Sequence, residues 1–495
     1  MLLELRKSEE WLMSYIEGAA RGQSHLFPAT IDEYLEAENP VRAIAAFLAR
    51  VDFAQLGFER ARAAETGRPG YDPRMLMGLY LWGHLNGVRT TRKLERECRR
   101  NLEVMWLCQN LGPDFKTIAD FRKDNGEAIK GVGAEFRLWC ASAGLFGKEL
   151  VAIDGSKFKA VNSRERNFTS KKLQRLIERE RAKVSEYLAA LAQADETESA
   201  AEPKLNAAEL KEKIAGIEKY LRQHEELAEQ LAASGESQVS LTDPEARLMT
   251  TAHGSEVGYN VQMAVDSKHK LIVAYEVTNE GNDSGQLARM AQAAKDALAV
   301  EELTAIADGG YFEGNALKEC EETGITAFVP VREPKEAERL GIFRQDQFGY
   351  EPARDVYVCP QGEELQYQYT TTDKTVNKQF KIYATRACAN CPLRAQCTTS
   401  EQGRRIKRWV EQAVIERLQQ RIRGQPELLK QRKALVEHPF GTIKRTMNQG
   451  YFLLRGIKKV STETGLTVLS YNLKRVINIM GVAALISSLE TSRTW

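Results

Sequence analysis

Val151-Ala152-Ile153-Asp154-Gly155-Ser156-Lys157 and Thr304-Ala305-Ile306-Ala307-Asp308-Gly309-Gly310-Tyr311 share one plan: a short apolar run, an aspartate, then small residues. A short apolar run closed by glycine reads as a buried strand. Asp154 and Asp308 therefore each stand where a strand ends. The glycines let another backbone approach closely. A lone Asp-Gly is also a common turn, so the weight lies in the repetition. A third acidic residue, Glu437, lies in Val436-Glu437-His438-Pro439-Phe440-Gly441-Thr442-Ile443-Lys444, inside a basic stretch with helical spacing.

Two strand-end aspartates and a helix-borne glutamate are what a two-metal phosphoryl-transfer site needs. Carboxylates hold hard cations, and Mg²⁺ takes few protein ligands beside water and phosphate oxygens. Two such ions, roughly 4 Å apart, stabilise both the attacking and the leaving oxygen. Glu437 and Lys444 are two helical turns apart, which predicts one shared face, a carboxylate for metal and a lysine for phosphate. Pro439 interrupts this, because proline is poorly tolerated inside a helix. Either a new helix starts near Glu437 or the helix kinks there.

Working outward, strands are predicted at 258–266 and 271–278, a helix at 285–300 capped by Asp283-Ser284, a strand at 303–307, a helix at 314–322 and a strand at 325–331. That order is mixed α/β and fits an RNase H-like sheet. Residues 149–166 and 240–335 form the two parts of this core. Residues 1–148 read as an all-α domain of short helices: 40–50, 74–85, 93–100 after Thr90 and Thr91, and 118–123 capped by Thr117. Basic residues at these helix starts suit a helix-turn-helix-like DNA reader as well as ordinary surface charge.

Two insertions interrupt the core. Residues 167–239 carry Leu210, Ile214, Ile217 and Leu221 at coiled-coil spacing, with a break between Asp195 and Pro203, and predict an antiparallel helical hairpin. Residues 336–409 carry Cys359, Cys388, Cys391 and Cys397 as C-x28-C-x2-C-x5-C. Four thiolates make a soft tetrahedral shell, so a structural Zn²⁺ is expected, against the alternative of free buried thiols. Residues 410–495 are a helical part of the core that carries Glu437.

With 495 residues the chain exceeds one ordinary core. Its 70 Lys+Arg nearly balance 68 Asp+Glu, but basic residues crowd the last third, from Arg404 to Arg445. Local positive excess is the footprint of a polyanion. Lys157, Arg432, Lys433, Lys444 and Arg445 supply candidate DNA contacts. No run of about 20 apolar residues occurs, so no membrane span is expected. Met1 to Glu10 is too charged for a secretory segment, which predicts a cytoplasmic protein.

On these three motifs, with Tyr471-Asn472-Leu473-Lys474-Arg475, the chain resembles bacterial insertion-sequence transposases of the DDE, RNase H-like class. The resemblance extends to a helical domain over Tyr71 to Lys123 and to the cysteine insertion. It implies Asp154, Asp308 and Glu437 as the metal-binding triad for two Mg²⁺ or Mn²⁺ ions. It implies Lys444 as the lysine that contacts DNA near the cleaved end. The family's arginine falls at Lys433, with Arg432 beside it, and its tyrosine falls at Lys430, where no tyrosine stands. The implied reaction is cleavage of element ends by water, then attack of the freed 3′-hydroxyl on target DNA, by a homodimer or larger assembly on double-stranded DNA at the nucleoid. Terminal inverted repeats and target DNA are the implied partners. Two other readings remain: an RNase H-like nuclease without strand transfer, and an inactive DNA-binding derivative.

Overall fold

The computed structural model describes residues 30–59, 70–196, 207–251, 254–331, 339–375 and 377–491. The reading of Met1 to Glu10, and most of the Asp195–Pro203 break, lie outside them.

Six helices open the described chain: α1 (Pro40–Arg50), α2 (Pro73–Leu85), α3 (Thr91–Glu97), α4 (Leu102–Leu107), α5 (Phe115–Asp124) and α6 (Gly126–Ser142). α1 and α2 start alike, with proline in the first turn behind a capping side chain. Asn39 accepts from the Val41 amide and Asp72 from the Arg74 amide. α5 is capped by Asp114, which accepts from the amides of Lys116 and Thr117. The predicted cap at Thr117 is therefore corrected: an aspartate one turn earlier outcompetes it. α2 is buried on nearly every side, as a helix apolar all round must be.

The main sheet is built from β1 (Leu150–Lys159), β4 (Arg247–Thr251), β5 (Gly254–Asp266), β6 (Ile272–Thr278), β7 (Leu303–Ile306) and β8 (Ile325–Phe328). β2 (Asn167–Thr169) and β3 (Gln238–Ser240) pair separately. β5 runs antiparallel to β1, β4 and β6, whereas β1, β7 and β8 are parallel. The sheet, in the order β6-β5-β1-β7-β8, is mixed, as expected. α9 (Leu287–Leu298) and α10 (Gly314–Glu322) make the crossovers.

β1 is longer than predicted. It continues past Asp154 because Gly155 to Lys159 keep pairing with Gln262 to Gly258. Asp154 is thus inside a strand, while Asp308 does follow the end of β7. α9 starts at Leu287, so Asp283-Ser284 does not cap it.

Between β2 and β3, α7 (Ser170–Glu196) and α8 (Ala207–Ser234) form the expected antiparallel hairpin. Its root is apolar, with Phe168, Leu173 and Leu231. Further out Glu180 Oε2 accepts from His224 Nδ1 at 2.9 Å, and Leu188 is exposed.

After β8 comes a second, antiparallel sheet of β9 (Gly349–Glu351), β10 (Val356–Val358), β11 (Glu364–Asp373), β12 (Lys378–Ala384) and β13 (Arg405–Trp409). The chain ends in α11 (Gln412–Gly424), α12 (Pro426–Gly441), α13 (Ile457–Met480) and α14 (Val482–Thr491). α12 runs on through Pro439 and widens into a π-turn over Thr442–Thr446.

One apolar core joins the N-terminal helices to the sheet: Phe47, Tyr80 and Trp139 share it with Val151, Ala305 and Leu469. A buried ion pair reinforces the joint. Arg89 Nη1 lies 3.1 Å from Glu463 Oε1 and also donates to the Tyr451 carbonyl. Among the described residues, no helix is long and apolar enough to cross a membrane.

Candidate active site

β1 and β7 lie side by side in parallel register, Ala152 opposite Ile306. Two residues further along each chain come Asp154 and Asp308. The sheet alone therefore brings the two aspartates together. Asp308 caps the tight turn Gly309–Tyr311 by accepting from the Gly310 amide at 2.7 Å. A Cβ at Gly310 would lie 2.7 Å from that same carboxylate oxygen, which explains the glycine.

Asp154 is partly buried. Burial pushes its carboxyl up to about 6, Arg432 opposes the rise, and the negative charges of Asp308 and Asp283 add to it. A nearby like charge disfavours the ionised form of a carboxyl. In the free protein the nearest positive group is Arg432, with Nη1 3.2 Å from Asp154 Oδ2. Arg432 comes from α12, which packs across β1. The family's arginine position thus divides in space: Arg432 faces Asp154, and Lys433 faces Glu437 at 3.6 Å.

Lys444 also reaches β1. Its Nζ donates to Ser156 Oγ at 2.6 Å and to the Lys157 carbonyl at 2.9 Å, above the Phe158 ring. Burial is the main cause of its lowered pKa. Lys444 is therefore a partly desolvated ammonium two to three residues along the strand from Asp154.

Glu437 is not gathered with the aspartates. Its side chain is 63% exposed and pairs with Lys433 one turn back. The predicted shared face with Lys444 is corrected too. The π-turn at 442–446 changes the helical phase, so Lys444 turns onto β1 while Glu437 faces solvent. His438 Nδ1 lies 3.0 Å from the Tyr471 hydroxyl, a packing contact. Tyr471, Asn472 and Arg475 bond to backbone between His269 and Ile272, so that motif fastens α13 to the β5–β6 hairpin. Arg445 is exposed.

The sequence reading missed a polar network behind the aspartates. Asn260 and Gln262, both fully buried, donate to Asp283 Oδ1, each at 2.7 Å. The signal was present: two amides at alternate positions on one face of an otherwise apolar strand.

The four cysteines of the second sheet lie on two of its connections, Cys359 between β10 and β11 and the other three between β12 and β13. Cys397 is buried in the small apolar core with Tyr357 and Tyr383, and Cys359 packs against it. Burial raises the Cys397 thiol, Arg404 opposes this, and charge at Cys388, Cys359 or Cys391 would add to the rise. Among the described residues, no three His, Cys, Asp or Glu side chains stand close enough together to hold a metal ion.

Two family models match the chain. One, described as a transposase DDE domain, covers residues 358–477, from β10 to α13. The other, described as a transposase domain (DUF772), covers residues 29–124, the first helices. Both bear out the resemblance to insertion-sequence DDE transposases, and together they support a DNA transposase. Among curated proteins none matches. A solved structure with some likeness is a piggyBac transposase synaptic complex with hairpin DNA, determined by cryo-EM. It is 10% identical, covers 92% of this chain and 85% of its own, and gives a TM-score of 0.26.

Proposed function

We propose that this chain is an insertion-sequence DNA transposase. In this reading it binds the ends of its element, cleaves them with water, and joins the freed 3′-hydroxyl to target DNA. The observation that carries the reading is the meeting of Asp154 and Asp308 on adjacent parallel strands, with Arg432 and Lys444 brought onto them from the C-terminal helices.

Asp154 and Asp308 fit a divalent cation: they are hard oxygen donors, mutually repelling, in a partly desolvated place. Glu437 is the third donor proposed, and its exposure leaves it free to change partner. Mg²⁺ or Mn²⁺ held there supplies an activated water and offsets charge on the leaving oxygen. The protein's own groups do the positioning. Lys444 and Lys157 present ammonium groups to phosphates beside the aspartates. Arg432 neutralises Asp154 before substrate arrives. Lys433 and Arg445 are exposed cations suited to the flanking backbone. The N-terminal helices would contact the element ends. Cys359, Cys388, Cys391 and Cys397 fit a structural Zn²⁺ by donor type, and the small core beside Cys397 is thin enough to need such a staple.

The test is cleavage and joining of a DNA carrying the flanking ends of the protein's own gene, with Mg²⁺ or Mn²⁺. Joined product supports a transposase. Cleavage without joining favours the nuclease, and binding without cleavage favours an inactive DNA-binding protein.

A further inference from the structure

Asp283 does not belong to the proposed triad, and its expected helix cap is absent. Its surroundings give it another task. Oδ1 accepts from Asn260 Nδ2 and Gln262 Nε2, each at 2.7 Å, and from Lys157 Nζ at 3.3 Å. Three donors on one oxygen, two of them from fully buried amides, fix the carboxylate firmly. The amides sit opposite β1: Asn260 pairs with Lys157 and Gln262 with Gly155. A Cβ at Gly155 would lie 2.7 Å from Asp283 Oδ1, so Asp283 closes directly over the residue after Asp154.

The network continues to the second aspartate. Gln262 Oε1 accepts from the hydroxyl of Tyr311, which is fully buried at the end of the turn that Asp308 caps. Asp283 thus closes over Gly155, the chain neighbour of Asp154, and is linked to Asp308 through Gln262 and Tyr311.

We propose that Asp283 is a positioning residue, which holds the Lys157 ammonium on the face of β1 next to Gly155, the residue after Asp154, and, through Gln262 and Tyr311, holds the Asp308 turn in register with β1. This rests on the transposase reading for its consequence in catalysis, but not for the hydrogen-bonded linkage. Asp283 touches no reacting atom in this scheme. It sets where Lys157 and the two aspartates stand when DNA and metal arrive.

The test uses the full chain with Asp283→Asn, Asp283→Ala, Lys157→Ala and the double variant Asp283→Asn/Lys157→Ala. Asn keeps the shape and the acceptor but removes the charge that holds Lys157. Asp283→Asn should slow cleavage at saturating end DNA by about 10- to 100-fold, the usual cost of losing a group that orients metal ligands. DNA affinity and melting temperature should stay near wild type. The double variant should be no slower than Lys157→Ala alone, because the two act as one unit. Effects that multiply independently would overturn the Asp283–Lys157 linkage. A second measurement needs neither DNA nor metal. Amide exchange of residues 309–312 should quicken in Asp283→Ala, and unchanged protection would overturn the link to the Asp308 turn. If the wild-type chain cleaves no end DNA, the functional reading fails while the exchange measurement still decides whether Asp283 holds the turn.

Discussion

The candidate site has two sides that are prepared very differently. On the sheet side, Asp154 and Asp308 are set by strand register, backed by Gln262, Asp283 and Tyr311, and only partly exposed to water. On the helix side, Glu437 stands exposed with Lys433 as its partner, although Arg432 and Lys444 of the same segment already reach β1. A sheet fixes its residues by many cooperative hydrogen bonds, whereas a surface helix position is fixed by one side-chain torsion. Under the proposed function, the sheet half is preset in the free protein and Glu437 is the donor that must move to join it.

The largest effects should ignore that difference. Asp154→Asn, Asp308→Asn and Glu437→Gln should each cut metal-dependent DNA cleavage by roughly a thousandfold, equivalent to the several kcal/mol that bound metal supplies. DNA binding should survive in all three. The assay is single-turnover cleavage beside a gel-shift titration. If Glu437→Gln alone kept its activity, the helix side would contribute cations only, and the comparison would collapse to a two-aspartate site.

Next in size is the buttress behind the helix side. The strand-like segment after the π-turn pairs with the end of β1 through Lys159 and Phe452, and Arg89 of the N-terminal region holds it by the Tyr451 and Asn448 carbonyls and by Glu463. Arg89→Met should destabilise the protein by about 3–5 kcal/mol, because it removes the ion-pair partner of the buried Glu463 and leaves it only the Leu453 and Leu454 amides as direct donors. A melting curve within error of wild type would show that the N-terminal helices do not support the Lys444 segment.

The two sides were also unequally legible in the sequence. Apolar runs ending in Asp-Gly located the sheet side, because strand burial and a close backbone approach leave a local signature. Apolar runs and turn residues also gave the alternation of strands and helices along the core, but not the order of strands within the sheet. The extension of β1 past Asp154 was not legible either, since Gly155 to Lys157 are polar or small and their strand state comes from pairing with β5. Asp283 was misread as a cap because Asn-Asp-Ser carries that signature locally, and only the tertiary fold brings Asn260 and Gln262 to it. On the helix side, the seven-residue interval from Glu437 to Lys444 assumed a regular helix. The π-turn at 442–446 broke that assumption, and nothing in residue type alone announced it.

The sheet side makes a smaller, pH-dependent prediction. Asp154 titrates near 3.8 when unfolded and is raised to about 6 by burial and neighbouring carboxylates. A raised carboxyl binds its proton more tightly in the folded state. Its contribution is therefore favourable at low pH and is lost as pH rises from about 4 to about 6, up to about 3 kcal/mol by linkage. Above pH 6 the charged carboxylate is the strained form, and a divalent cation should relieve it. Millimolar Mn²⁺ should then raise the melting temperature at pH 7 and do much less at pH 5, with the difference absent in Asp154→Asn. Equal stabilisation at both pH values would place the cation away from Asp154.

The smallest effect separates the two sides most directly. Lys433 and Glu437 form an exposed pair at 3.6 Å, three-quarters and nearly two-thirds accessible. Such pairs are worth about 1 kcal/mol or less. Lys433→Ala should therefore change the cleavage rate at saturating DNA by less than about fivefold, the equivalent of that energy. Its mark should appear in binding instead, as a salt-dependence slope lower by about one, because a lysine that leaves Glu437 for a phosphate releases one counterion contact. A rate loss as large as that of Glu437→Gln would mean that Lys433 holds Glu437 in its working position, and the helix side would then be as preset as the sheet.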